Sequence, residues 1–165
     1  MRDAHNRALA RKLLDLARIG GHRIATAESC TGGLVAGAIT DLPGASEIFD
    51  RGFVTYSNAS KIETLGVRAA TLENHGAVSR ETAIQMAQGA LKFSRATLAV
   101  SITGIAGPDG GSPEKPIGLV HFACADRNGA RHVERRFGPL SRDEIRAAAV
   151  AQALEMLIDF AQPRP

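Results

Sequence analysis

Three short stretches of the chain gather side chains able to do covalent chemistry. The first is TAESCTGGLVAG, Thr26 to Gly37, with Ser29, Cys30, Thr31 and two adjacent glycines between apolar runs. An extended run that turns at glycines into a helix presents backbone N–H groups, a setting that favours an anion. The hydroxyls of Ser29 and Thr31 add donors there. The segment lacks the GxxxxGK[ST] pattern, so it is not a Walker loop. The plainer account, a capped helix with glycines for tight packing, stays open. Cys30 would attack only with an activating base or a depressed pKa, and no local histidine signature provides one. A buried structural thiol is the expectation for Cys30, and Cys124 reads as core.

The second stretch, PGASEIFDRGFVTYSNASK, Pro43 to Lys61, holds Ser46, Tyr56 and Lys61. A serine hydroxyl becomes a nucleophile when a base takes its proton, and a lysine serves as that base once its amine is neutral. With Asn58 as the N-cap, Lys61 falls in the first turn of a helix. Both the helix dipole and burial disfavour a second positive charge there. A turn serine and a surface lysine explain the same residues, because spacing alone does not specify a dyad. The third stretch, SITGIAGPDGGSPEKPIG, Ser101 to Gly118, is a nearly continuous apolar strand ending at Thr103 and Gly104, followed by a long glycine- and proline-rich loop. Ligands of open α/β sheets bind beyond the carboxyl ends of strands, and a long loop without structure of its own is commonly functional. Pro108 and Pro113 rule out the dinucleotide fingerprint, which needs a following helix.

The elements that must position these residues follow from periodicity. Asn6–Ile19 carries Leu9, Leu13, Leu16 and Ala17 on one helical face, and Gly20 with Gly21 stops it. Strands are expected at Arg23–Ser29, Phe49–Ser57 and Ala96–Thr103, and helices at Thr31–Leu42, Asn58–Gly66 and Ser79–Phe93. Asn128–Gly129 marks a hairpin between Ile117–Ala125 and Ala130–Phe137. Ser141 and Glu144 have capping-box spacing at the start of a last helix, Ser141–Phe160. The order predicts a three-layer α/β/α sandwich on a mixed, mostly parallel five-stranded sheet with one C-terminal hairpin.

The 165 residues fit one domain, residues 1–165, and 44% hydrophobic residues suffice for a core. A net charge of +3, with acids interleaved in RHVERR (Arg131 to Arg136), argues against a nucleic-acid surface. Two distant cysteines and a charged N-terminus point to a reduced, cytoplasmic protein. No apolar run approaches a membrane span. The five histidines show no ligand spacing, so no metal is expected.

Taken in order, TAESCTGG, RGFVTYSNASK, HGAVS (His75 to Ser79) and SITGIAGPDGGSPEKPIG resemble the CinA C-terminal domain family in its stand-alone, nicotinamide-nucleotide amidase form. The resemblance runs from about Leu13 to the last helix. It implies hydrolysis of the carboxamide of nicotinamide mononucleotide to nicotinate mononucleotide and ammonia, a step of pyridine-nucleotide salvage, with no cofactor. It implies Ser46 as nucleophile, Lys61 as base and Tyr56 beside them. Ser29, Thr31, Gly32, Gly33, Thr103, Gly104 and Arg142 would hold the substrate. The family's Gly-Asp-Arg turn is replaced here by FGPLSRDEIR, which makes Arg142 the match and Arg146, one turn later, the second candidate. The expected partners are the nucleotide and further copies of the chain, as a dimer or higher oligomer. A non-catalytic pyridine-nucleotide-binding module, or a serine–lysine amidase of another substrate, are the alternatives.

Overall fold

A computed structural model describes residues 2–164, with side chains from residue 4. The helices are α1 (Arg2–Gly20), α2 (Leu34–Thr40), α3 (Asn58–Leu65), α4 (Ala69–His75), α5 (Arg80–Lys92) and α6 (Arg142–Ala161). The strands are β1 (Ile24–Glu28), β2 (Phe49–Val54), β3 (Leu98–Gly104), β4 (Leu119–Asp126) and β5 (Gly129–Arg136). They form one sheet in the order β2-β1-β3-β4-β5. β1 lies parallel to both β2 and β3, β4 runs antiparallel to β3, and β5 antiparallel to β4. This is the mixed sheet, with its C-terminal hairpin, that the sequence predicts.

Alternation along the strands divides the core between two faces. Ile24, Leu98, Val100, Ile102, Val120, Phe122 and Cys124 point to the layer of α1, α2 and α6, among Leu13, Leu14, Val35, Leu154 and Leu157. Ala25, Ala27 and Ala99 point the other way, to Leu65 of α3 and Met86 and Ala90 of α5. Small residues on that second face let the helices sit close. A Cβ on Gly89 of α5 would lie 2.0 Å from the Leu65 carbonyl oxygen, so glycine is required where α5 crosses α3. That contact fixes α3, and with it Lys61. The outer strand β5 is largely exposed and carries Arg131, Glu134, Arg135 and Arg136, charges that discourage pairing with another sheet.

Four details depart from the sequence reading. The helix expected from Thr31 begins at Leu34, because Gly32 (φ 58°) and Gly33 (φ 101°) hold left-handed backbone and make Ser29–Gly33 a turn. The N-cap of α3 is Ser57, whose hydroxyl accepts from the Ser60 amide, rather than Asn58. The hairpin closes on the pair Asp126 and Gly129, so Arg127 and Asn128 form its tip, one residue earlier than expected. α4 lies in a segment for which no element is expected from sequence. The capping box of Ser141 and Glu144 is present as read.

Candidate active site

The parallel strands β1, β2 and β3 end on the same edge of the sheet, so the segments that follow them converge. The Thr55 amide donates to the Glu28 carbonyl, and the Ser29 amide to the Ile102 carbonyl, at 2.9 Å each. These bonds carry the ladder one residue beyond the strands and lock Ser29 between its neighbours.

Lys61 enters this junction from α3. Side chains of a helix lean towards its N-terminus, so a lysine in the first turn reaches back over the residues that precede the helix. Its Nζ lies 2.7 Å from the Thr55 carbonyl, 3.5 Å from the Tyr56 carbonyl and 3.2 Å from Ser29 Oγ. Lys61 is only 1% exposed and is the largest fully buried side chain. Burial holds its amine below the ordinary lysine pKa of 10.5, opposed only by the neighbouring Cys30. No carboxylate bonds to it among the described residues. A neutral amine has two N–H donors and one lone pair. As an ammonium, Nζ donates to both carbonyls and to Ser29 Oγ; once neutral, it keeps two donors for the carbonyls and has a lone pair for the Ser29 hydroxyl.

The Ser29 turn is built from within. Glu28, fully buried, accepts from Thr31 Oγ1 and the Val35 amide at 2.8 Å and from the Ala36 amide at 3.0 Å. Gly33 has no side chain with which to cap α2, and the Glu28 carboxylate does that from upstream. From outside, Arg146 donates to the Cys30 carbonyl at 3.1 Å and the Thr31 carbonyl at 3.2 Å. Cys30 is buried as expected, and burial pushes its thiol up to about 11, so it stays protonated and inert at neutral pH.

Arg142 bridges the loop after β3 and the segment after β2. It donates to the Gly107 carbonyl at 2.8 Å and to the Tyr56 hydroxyl at 3.2 Å. Tyr56 is 60% exposed and meets Lys61 through its backbone carbonyl, not its phenol. Thr103 is buried beside the junction, where its hydroxyl donates to the Ala77 carbonyl at 2.8 Å. Gly104 is needed for packing, since a Cβ there would lie 2.9 Å from the Leu119 carbonyl oxygen of β4.

Ser46 does not join this group, which corrects its pairing with Lys61. It sits exposed in a 3-10 turn, Ala45–Glu47, at the amino end of β2. Five strand steps, roughly 16 Å, separate Phe49 from Val54, and Lys61 lies beyond Val54. The turn is anchored where it is: Arg18 pairs with Glu47 at 2.8 Å, and the Ile48 carbonyl accepts from Ile24 at 2.7 Å. Within one chain the serine facing Lys61 is Ser29. Sequence reasoning also missed Glu28. A carboxylate that closes an apolar strand just before an uncapped, glycine-led helix is the signal that finds it.

Among the described residues no histidine, cysteine and carboxylate groups gather so as to hold a metal ion, and no helix is long and apolar enough to cross a membrane. An α/β sandwich that sets a buried amine against a serine hydroxyl has the parts of an acyl-transfer site.

The chain belongs to the CinA C-terminal domain family, whose model matches residues 6–161. It is 50% identical over 157 residues to the nicotinamide-nucleotide amidohydrolase PncC of Escherichia coli K12, covering 95% of each chain. It is 49% identical over 152 residues to a putative competence-damage inducible protein of Caldicellulosiruptor saccharolyticus, of which it covers 37%. Among solved structures, the competence/damage inducible protein CihA of Agrobacterium tumefaciens superposes with a TM-score of 0.93 at 56% identity, over 96% of both chains. ComA of Klebsiella pneumoniae superposes with a TM-score of 0.89 at 34% identity, over 93% of this chain and 95% of that one.

Proposed function

We propose that the chain hydrolyses the carboxamide of nicotinamide mononucleotide, with Ser29 as nucleophile and Lys61 as its base. That the chain is an amide hydrolase follows from half-identity to the Escherichia coli amidohydrolase over nearly the whole of both chains. One observation carries the mechanism: the buried Lys61 amine, lacking a carboxylate partner, sits 3.2 Å from Ser29 Oγ.

Neutral Lys61 takes the Ser29 proton as Oγ bonds to the carboxamide carbon. Amides of the Ser29–Gly33 turn other than those of Ser29 and Gly32, which are already bonded, are the donors for the oxyanion that acyl transfer requires. Lys61 then returns the proton to the amide nitrogen, the C–N bond breaks, and ammonia leaves. A water attacks the acyl-enzyme and gives its proton to Lys61, which passes it to Ser29 Oγ as the ester breaks. One amide and one water thus become one carboxylic acid and one ammonia, and the enzyme is restored. Arg142, with the Tyr56 hydroxyl and the loop after β3, holds the ribose and phosphate. Gly32 and Gly33 continue the Ser29 turn and Thr103 and Gly104 end β3 beside it, whereas the hydroxyls of buried Thr31 and Thr103 turn inward, to Glu28 and the Ala77 carbonyl.

The test is ammonia release by the wild-type chain from nicotinamide mononucleotide and from free nicotinamide. Release from the nucleotide with at least a hundredfold preference supports the reading, since a charged phosphate contact is lost with the free base. Calorimetric binding of the nucleotide without ammonia release would instead make the chain a binding module. Preference for another amide would change the substrate and leave the chemistry.

A further inference from the structure

Arg146 reaches across from α6 to the turn that carries the nucleophile, yet its guanidinium is spent on two consecutive backbone carbonyls. Nε donates to Cys30 O at 3.1 Å and Nη2 to Thr31 O at 3.2 Å. In a trans peptide the C=O and the following N–H point in opposite directions. Drawing the Cys30 carbonyl towards α6 therefore aims the Thr31 N–H away from α6, and drawing the Thr31 carbonyl does the same for the Gly32 N–H. The Gly32 amide is already used, donating to Ser29 O at 3.0 Å. The Thr31 amide donates to no group among the described residues.

The sheet says where that amide faces. α6 covers the layer shared with α1 and α2. Ser29 follows Glu28, whose carboxylate turns to α2, so strand alternation sends the Ser29 hydroxyl to the opposite face, where it meets Lys61 of α3. The amide that Arg146 turns away from α6 thus points to the side on which Ser29 would attack. Glu28 grips the same turn from within, through the Thr31 hydroxyl.

We propose that Arg146 is a positioning residue for acyl transfer: it orients the Cys30–Thr31 peptide so that the Thr31 N–H meets the developing oxyanion, and it does not contact the substrate. This rests on the reading of Ser29 as nucleophile. A guanidinium is suited to the task because its planar fork serves two carbonyls at once, which an ammonium on a flexible stem does not.

The geometry also provides a way to test it. Arg146 lines a groove of about 510 Å³ between α1, α2 and α6, with Leu34, Gly37 and Asp143, so the space left by a truncated side chain is open to solvent. Turnover of nicotinamide mononucleotide is measured for Arg146→Ala, Arg146→Lys, Ser29→Ala and the wild type, with and without guanidinium chloride below its denaturing range, alongside thermal melting. Losing an oxyanion donor costs about 10²- to 10³-fold in kcat, and a misaimed one somewhat less. The expected result is a fall in kcat of one to two orders of magnitude in both Arg146 variants, with KM within about threefold of wild type. Added guanidinium then restores kcat of Arg146→Ala at least fivefold and leaves the wild type unchanged. A rise in KM with kcat intact overturns the proposal in favour of substrate contact. An unchanged kcat, or a loss that guanidinium fails to restore, also overturns it. A dead Ser29→Ala beside any of these confines the failure to Arg146, whereas an active Ser29→Ala removes the underlying reading.

Discussion

The Lys61 amine and the Ser29 hydroxyl meet at 3.2 Å although 32 residues separate them, because β1 and β2 lie side by side and parallel. Ser29 closes the first strand, and Lys61 follows the second by one tight turn into α3. The fold supplies the burial as well as the contact, and burial lowers the lysine pKa, as the proposed role of base requires.

Lys61 is expected to set the pH dependence of turnover. Its folded-state pKa is lowered from 10.5, so the neutral fraction grows with pH and the acid limb of the rate profile reports its titration. The midpoint of that limb is expected below 10.5. Lys61→Arg keeps the charge at every working pH and is expected to reduce kcat at least about a hundredfold across the profile. The same shift links to stability. The contribution of Lys61 is full above pH 10.5 and shrinks as the pH falls towards the lowered folded-state value. Rate profiles of the two proteins, with melting temperatures at each pH, check both signs.

Cys30 stands next to Ser29 in sequence, and no part in the chemistry is expected of it. Its thiol is buried and raised to about 11, so almost none is thiolate at pH 7.5. Cys30→Ala is expected to keep turnover within about threefold of wild type, and iodoacetamide to leave the folded enzyme active. Inactivation at neutral pH, prevented by the Cys30→Ala change, would contradict this.

Glu28 is expected to matter for stability and rate together. Glu28→Gln keeps the shape, but it sets an amide N–H₂ among donors that now share three bonds to a carboxylate. Loss of a charge-assisted bond predicts a destabilisation of about 2 kcal/mol. Turnover falls too, because the loosened turn is the one that carries Ser29. Urea melts beside steady-state rates measure the two.

Thr26 offers the opposite case. Its hydroxyl is buried on β1 without a hydrogen-bond partner, facing Gly52 of the neighbouring strand. Replacing it with valine keeps the branched shape and removes an unsatisfied polar group, so Thr26→Val is expected to stabilise by about 1 kcal/mol without altering turnover. A lower urea midpoint would contradict that account.

Much of this was legible in the sequence, and the exceptions have physical causes. Helical periodicity in α1, α5 and α6, and the apolar run of β3, survive folding because they are what the core is made of. The capping box of Ser141 and Glu144 is local and was readable for the same reason. Ser57 and Asn58 are both competent caps, and only the backbone chooses between them. α4 is seven residues long and follows Arg68, an N-cap that makes no side-chain capping bond, so it has little to mark it. The resemblance implies Ser46 as the partner of Lys61, but Ser46 precedes β2 and Lys61 follows it. A strand lies between them, and a strand puts its two ends on opposite edges of the sheet. Ser29 belongs with Lys61 through the adjacency of β1 and β2, a tertiary fact that no spacing along the chain records.

The identity of the attacking serine is tested most directly by ammonia release from nicotinamide mononucleotide by Ser29→Ala, measured beside Ser46→Ala. The geometry predicts that Ser29→Ala melts like the wild type yet loses at least about a thousandfold in kcat, while Ser46→Ala turns over within about threefold of wild type. A Ser29→Ala protein with wild-type turnover, or a folded Ser46→Ala protein without any, would contradict the assignment.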